Sequence, residues 1–150
     1  MRGALLAMGD INKNLNSDKY YIENLTNNPF LSKYNEICSK KYKTNEKLSL
    51  HHILPRSKFP DLKNDTKNHA WLPTLKHVEA HYCLWKFSPL FALEFWFPLV
   101  YFKKRNLFNI TDEEYDQLKK DLKYCRKLKK EGTFQKEYNK FSSISKREDQ

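Results

Sequence analysis

The chain has few of the residues that staple or punctuate a fold. Its 150 residues include only three glycines. Its three cysteines, Cys38, Cys83 and Cys125, form no Cys-x-x-Cys pair and are odd in number. This excludes a disulfide framework and a zinc site built on thiolates. The N-terminus carries Arg2 and an apolar run over residues 4–8, too short for the apolar core of a signal peptide. Without a secretion signal the Asn-x-Thr triplets beginning at Asn24 and Asn109 carry no weight. The expected location is intracellular, in the cytoplasm of a prokaryotic host or at its nucleoid. A clean apolar span is missing too. Residues 82–102 are the most apolar stretch, but Lys86, Pro89, Glu94 and Pro98 interrupt it. A charge near the middle of a span costs about 2.5–3.5 kcal/mol or more. The stretch therefore reads as core: the end of one helix and most of another, with Pro98 as the place for a kink. There is no internal repeat.

What is present is aromatic and basic. Nine tyrosines, ten phenylalanines and three tryptophans are ample for a core, and the length suits one compact domain with arms. The formal net charge is +10, which points to an anionic partner, nucleic acid first and a membrane surface second.

Taken in order, residues 1–16 read as a flexible tail and 17–46 as an N-terminal helical region. In that region Ser17 caps a helix over residues 18–27, with Tyr21, Ile22 and Leu25 inward, and Asn27-Asn28-Pro29 ends it. A second helix is expected over residues 32–42, with Tyr34, Ile37 and Cys38 on one side. Residues 47–88 form the central unit. Alternation over residues 48–53 predicts a short strand that Pro55 stops. A loop of Pro, Asp, Asn and Lys follows to Asn68. A second strand covers residues 69–72, and a helix capped by Thr74 runs to about Phe87. Residues 89–131 form a C-terminal helical region. Its last helix opens with a capping box of Thr111 and Glu114, closes at Gly132, and sets Tyr115, Leu118, Leu122, Cys125 and Leu128 on one face. Residues 132–150 read as a polar, mobile tail, with Phe134, Tyr138 and Phe141 as docking points.

All five histidines lie between residues 51 and 81. His51 and His52 are adjacent, His69 follows Asn68, and His77 and His81 stand four apart on the predicted helix. Neighbours on a strand point to opposite faces, so one of the adjacent pair can hold a metal while the other faces a substrate. Residues four apart on a helix share a face. A strand pair packed on this helix would gather His51, His77 and His81 around one cation and leave His52 free to take a proton from water. Imidazole is the commonest metal ligand and the usual base near neutral pH, so the cluster is a candidate metal-dependent catalytic site. His69 reads as a strand residue or substrate contact. Arg56, just past the strand, can clamp a phosphate. The final helix concentrates Lys119, Lys120, Lys123, Arg126, Lys127, Lys129 and Lys130, a run of one sign that suits contact with DNA phosphates.

The pattern His51-His52-Ile53-x-Pro55, then Asn68 with Leu72 four residues on, then His77-x-x-x-His81, resembles the HNH endonucleases, also called ββα-metal or His-Me finger nucleases. It looks most like their phage-borne, free-standing homing members. The match covers residues 51 to about 85. The loop before Asn68 lacks the glycine pair common in relatives, and His69 stands where they usually carry an aliphatic residue. The resemblance implies an α+β, mostly helical fold with a ββα-metal core. It implies His52 as general base, His51 and His77 as metal ligands with His81 as a further one, and Asn68 as the asparagine that braces the loop and orients the base. The implied function is hydrolysis of phosphodiesters in double-stranded DNA with one divalent cation. Mg²⁺ is expected for activity. Mn²⁺, Zn²⁺ and Ni²⁺ are alternatives, since imidazole ligands favour the last two in affinity. Two rival readings stand beside it: a non-catalytic nucleic-acid-binding module with a structural histidine-bound zinc, and a peripheral membrane or scaffold protein using the basic helix and residues 90–102.

Overall fold

Two short antiparallel strand pairs and five helices make up the described part of the chain, residues 19–139 and 144–146 of a computed structural model. The elements are β1 (Tyr20–Ile22), α1 (Pro29–Ser39), β2 (Ser49–His52), β3 (His69–Leu72), α2 (Thr74–Phe87), α3 (Ala92–Lys103), α4 (Asp112–Glu131), α5 (Phe134–Asn139) and β4 (Ile144–Lys146). The class is α+β and mostly helical. The expected tail over residues 1–16 and the docking residue Phe141 lie outside the described residues.

The centre is the β2–β3 hairpin and the helix that follows it. The register pairs Ser49 with Leu72, Leu50 with Trp71, His51 with Ala70 and His52 with His69. Because side chains alternate, Ser49, His51, Ala70 and Leu72 share one face and Leu50, His52, His69 and Trp71 the other. The first face is turned inward: His51, Ala70 and Leu72 are buried, while Trp71 on the other face is exposed. Helix α2 packs on this hairpin and lies between α1 and α3, burying Val78, Ala80, Cys83, Leu84 and Trp85. Thr74 is the first residue of α2 and not its cap. The free Thr74 amide instead donates to Glu46 Oε2 at 2.7 Å, a carboxylate at the positive end of the helix.

Helix α3 contains Pro98 and continues to Lys103. Among the described residues no helix is long and apolar enough to cross a membrane. Helix α4 has the reciprocal Thr111–Glu114 capping box and ends at Gly132, whose φ of 74° is the left-handed cap conformation glycine adopts without strain. Its face of Leu118, Leu122, Cys125 and Leu128 is buried. Tyr82 Oη donates to Glu114 at 2.6 Å and Trp85 Nε1 to Asp121 at 2.8 Å, which fastens α4 to α2.

The two ends of the chain differ from the sequence expectation. The helix expected over residues 18–27 is absent where it is described: Tyr20–Ile22 is a strand, paired with Ile144–Lys146. Two aromatics and a β-branched residue favour an extended backbone, and Asn35 completes it from α1. Asn35 Oδ1 accepts from the Ile22 amide at 3.1 Å, and its Nδ2 donates to the Ile22 carbonyl at 2.8 Å. Asn27-Asn28-Pro29 therefore starts a helix where it was expected to end one. Asn28 Oδ1 accepts from the amides of Phe30 and Leu31, with Pro29 in the first turn. The second helix runs over Pro29–Ser39 accordingly. The polar tail expected over residues 132–150 differs over its described part, where Phe134 and Tyr138 dock as expected. It contains α5, with Phe134 and Tyr138 buried, and β4. Phe59 and Phe91 lie against Tyr138 at ring separations of 5.6 and 5.4 Å, so apolar burial draws this segment onto the core.

Candidate functional site

His51 on the inner face of β2 meets His77 and His81 from α2. The ring centroids are 5.0 Å apart for His51–His77, 4.9 Å for His51–His81 and 5.1 Å for His77–His81. One nitrogen of each lies within 4.8 Å of the others, so the three can hold a metal ion.

Two of these rings are fixed by hydroxyl relays that sequence reasoning missed. Tyr34 of α1 is fully buried, with its hydroxyl 2.8 Å from His51 Nε2 and 2.5 Å from the Ile53 carbonyl. A carbonyl can only accept, so it takes the single phenolic hydrogen. The Tyr34 oxygen then accepts from His51 Nε2–H, which leaves the lone pair on His51 Nδ1. The same logic holds at His77. Ser49 Oγ donates to the Leu72 carbonyl at 3.3 Å and lies 2.9 Å from His77 Nδ1. With the Ser49 hydrogen on Leu72, His77 Nδ1–H donates to Ser49, and the lone pair falls on Nε2. At His81, Nδ1 is buried and has no hydrogen-bond partner. A buried polar atom left unpaired costs about 1–3 kcal/mol. That cost, together with two lone pairs already aimed by relays, fits a donor set for a cation. Burial, then repulsion from the neighbouring histidines, lowers the pKa of His51, and burial followed by the charge of His77 pushes His81 down to about 3. His77 is lowered as well, chiefly by burial. The trio is held neutral, the state in which imidazole binds metal.

The other two histidines stand on the outer face. His52 and His69 face each other edge to face at 5.2 Å. Both direct Nε2 at the Lys63 carbonyl, at 3.0 and 2.7 Å. The carbonyl must accept from both, so His52 carries its hydrogen on Nε2 and its lone pair on Nδ1. Burial lowers the pKa of His52; the Lys63 carbonyl opposes this, while His69 and Arg56 add to it.

A cleft of about 450 Å³ is lined by His51, His52, His77 and His81 together with Arg56 and Glu94. Arg56 is exposed at this cleft. Asn68 is fully buried and does not line it. Its Oδ1 accepts from the Leu54 amide at 2.8 Å, its Nδ2 donates to the Leu54 carbonyl at 3.0 Å, and its own carbonyl accepts from the Ile53 amide at 2.9 Å. Asn68 thus staples the chain leaving β2 to the start of β3. Glu94 is the one acid lining the cleft. Its Oε2 pairs with Lys58, and its Oε1 is buried without a hydrogen-bond partner. The Lys58 ammonium sits 4.9 Å from the Phe134 ring centre and 5.4 Å from that of Tyr138. The C-terminal segment therefore helps to seat the wall of the cleft. No local motif marks Glu94 or Lys58; their role depends on α3 and α5 packing beside the loop.

The seven basic residues of α4 are all exposed. Lys119 and Lys129 lie over the rings of Tyr115 and Phe134, at 4.6 and 5.1 Å. The helix packs chiefly on α3, α5 and the turn at Pro89–Phe91, so its basic face is a separate surface and does not line the histidine cleft. No family model, curated protein or solved structure matches the chain.

Proposed function

We propose that the protein is a metal-dependent DNA endonuclease of the HNH, or His-Me finger, type, acting in the manner of the free-standing homing enzymes. The observation that carries this reading is the division of the histidines. Three converge, neutral, with His51 buried and His77 and His81 half-buried, while the neighbour of one of them stands in the same cleft with a free Nδ1 lone pair. The ordered motif from His51 to His81 on a hairpin and helix supports the same reading.

His51, His77 and His81 would hold the cation, with Nδ1 of His51 and Nε2 of His77 as the nitrogens left open to it. A divalent ion there supplies Lewis-acid stabilisation of charge on the phosphate and the leaving oxygen. His52 Nδ1 accepts the proton of the attacking water, and its Nε2–H bond to Lys63 fixes the ring while it does so. Arg56 pairs with a phosphate oxygen and sets the backbone in register. Asn68 keeps the turn after β2 in place and so orients His52. Helix α4 adds phosphate contacts on double-stranded DNA. Three imidazoles favour Zn²⁺ or Ni²⁺ over Mg²⁺ in affinity, while Mg²⁺ or Mn²⁺ supports turnover.

The test is cleavage of supercoiled plasmid with Mg²⁺, Mn²⁺, Ni²⁺ or Zn²⁺, against a chelated control. Metal-dependent nicking or linearisation is the expected result. A wild-type protein that binds DNA and zinc but cuts with none of these ions would instead be a binding module with a structural zinc.

A further inference from the structure

We propose that Trp71 is a nucleic-acid contact of this site, with its indole laid against the nucleotide beside the phosphate that His52 addresses. The identity of the partner rests on the nuclease reading, but the contact itself can be measured without cleavage.

Trp71 is 54% exposed, on a strand whose neighbours Ala70 and Leu72 are buried. It stands on the outer face with His52 and His69, opposite Leu50. Leu50 and His52 both line the histidine cleft, so the indole borders the ground where the reaction is placed. Trp71 and His69, two residues apart on one strand, are separated by about 7 Å. That is roughly two base steps at 3.4 Å each along one strand of DNA. His69 in turn faces His52 across the hairpin. An indole at this distance reaches the sugar or base next to a phosphate seated at His52.

The chemistry of the face selects the partner. Its apolar part is only Leu50 and Trp71, flanked by two imidazoles. Two apolar residues are a small centre for a protein interface, which as a whole takes about 20–30 residues a side. The chain carries a net charge of +10 and exposes Arg56 at the adjoining cleft, which favours a polyanion. Aromatic side chains that border a bound backbone act as stacking platforms, tolerant of sequence because every base has a π face. The alternative is that Trp71 merely covers Leu50. Leucine would serve that purpose as well as an aromatic ring.

The experiment titrates a short DNA duplex into the full chain in chelator and follows tryptophan emission. Trp85 is only 4% exposed, which leaves Trp71 the most accessible of the three indoles. The expected result is a change of emission on binding that Trp71→Phe abolishes. DNA affinity should fall by about 5- to 150-fold in Trp71→Ala and nearly as far in Trp71→Leu, with Trp71→Phe and Trp71→Tyr between these and the parent. Metal affinity by calorimetry should not change. Parental affinity in Trp71→Leu overturns the proposal, because apolar cover would then suffice. So does parental affinity in Trp71→Ala. If Trp71 governs DNA affinity but the parent cuts with no metal, the contact stands and the nuclease reading falls. If the parent cuts and the Trp71 variants bind as it does, the contact alone falls.

Discussion

The two faces of one four-residue strand pair treat the same side chain in opposite ways. On the inner face His51 is buried against the half-buried His77 and His81 of α2; Tyr34 holds one ring, Ser49 another, and His81 Nδ1 has no hydrogen-bond partner among the described residues. On the outer face His52 and His69 are reachable by solvent and anchored to a single carbonyl. Burial denies the inner group protons and suits it to a cation. Partial exposure leaves His52 open to water. Position on the pleat, and not residue type, divides the proposed ligand from the proposed base.

The largest expected effect comes from removing the outer-face base. His52→Ala should lower cleavage by about 10²–10⁴-fold while metal affinity stays near that of the parent. Single-turnover cleavage beside calorimetric metal titration reads both. Equal loss of the two would put His52 among the ligands and erase the division of faces. Because the His52 pKa is lowered from 6.5, the acid limb of the parent's pH–rate profile should fall below that value, since the base works only unprotonated.

The inner face is probed next through its relays. Tyr34→Phe removes one oxygen at nearly constant shape and should weaken metal binding by about 10–100-fold, the usual cost of losing such an outer partner. Ser49→Ala should act in the same direction at His77. Calorimetry with Zn²⁺ or Mn²⁺ measures either. Unchanged affinity in both would mean that the hydroxyls do not select the tautomers.

Protons give a third test, on protein stripped of metal. The folded state holds His81 at about 3 against an ordinary 6.5, and His51 moves the same way. The unfolded chain therefore binds protons that the folded chain refuses. Stability is fully present above 6.5 and falls as the pH drops from there toward about 3. Thermal melts in chelator should show Tm declining across that window, and saturating Zn²⁺ at pH 7 should raise Tm. A flat profile would deny that the inner histidines are buried neutral.

The smallest effect belongs to the surface apart from the hairpin. Neutralising Lys123, Arg126 and Lys127 of α4 should weaken DNA binding and flatten its salt dependence by roughly 0.9 per lost phosphate contact. Metal affinity should be untouched, and cleavage should recover at low salt and saturating DNA. An unchanged slope would make α4 a solvated face.

The legible parts of the chain were those whose cause is local. Strand β3, helix α2 and the capped helix α4 follow from alternation, from helical spacing and from Thr111, Glu114 and Gly132, each acting within a few residues. The grouping of His51, His77 and His81 was legible for a related reason: pleat and helix pitch each put known positions on known faces, and one packing event joins them. Strand β1 was misread because its determinants are remote. Its partner β4 lies at the far end of the chain, and Asn35 completes its hydrogen bonds from the next helix.

By itself, then, the sequence determined which side chains of the hairpin and of α2 share a face and where α4 begins and ends, since backbone geometry repeats every two or 3.6 residues. Tertiary structure alone decided that Tyr34 and Ser49 orient the inner histidines, that Lys63 offers its carbonyl to the outer pair, and that Glu94 walls the cleft with Lys58 set among aromatic rings from the C-terminal segment. Those contacts join residues distant in sequence. A hydrogen bond depends on tenths of an ångström and on which partner already holds the proton, and no pattern along the chain encodes either.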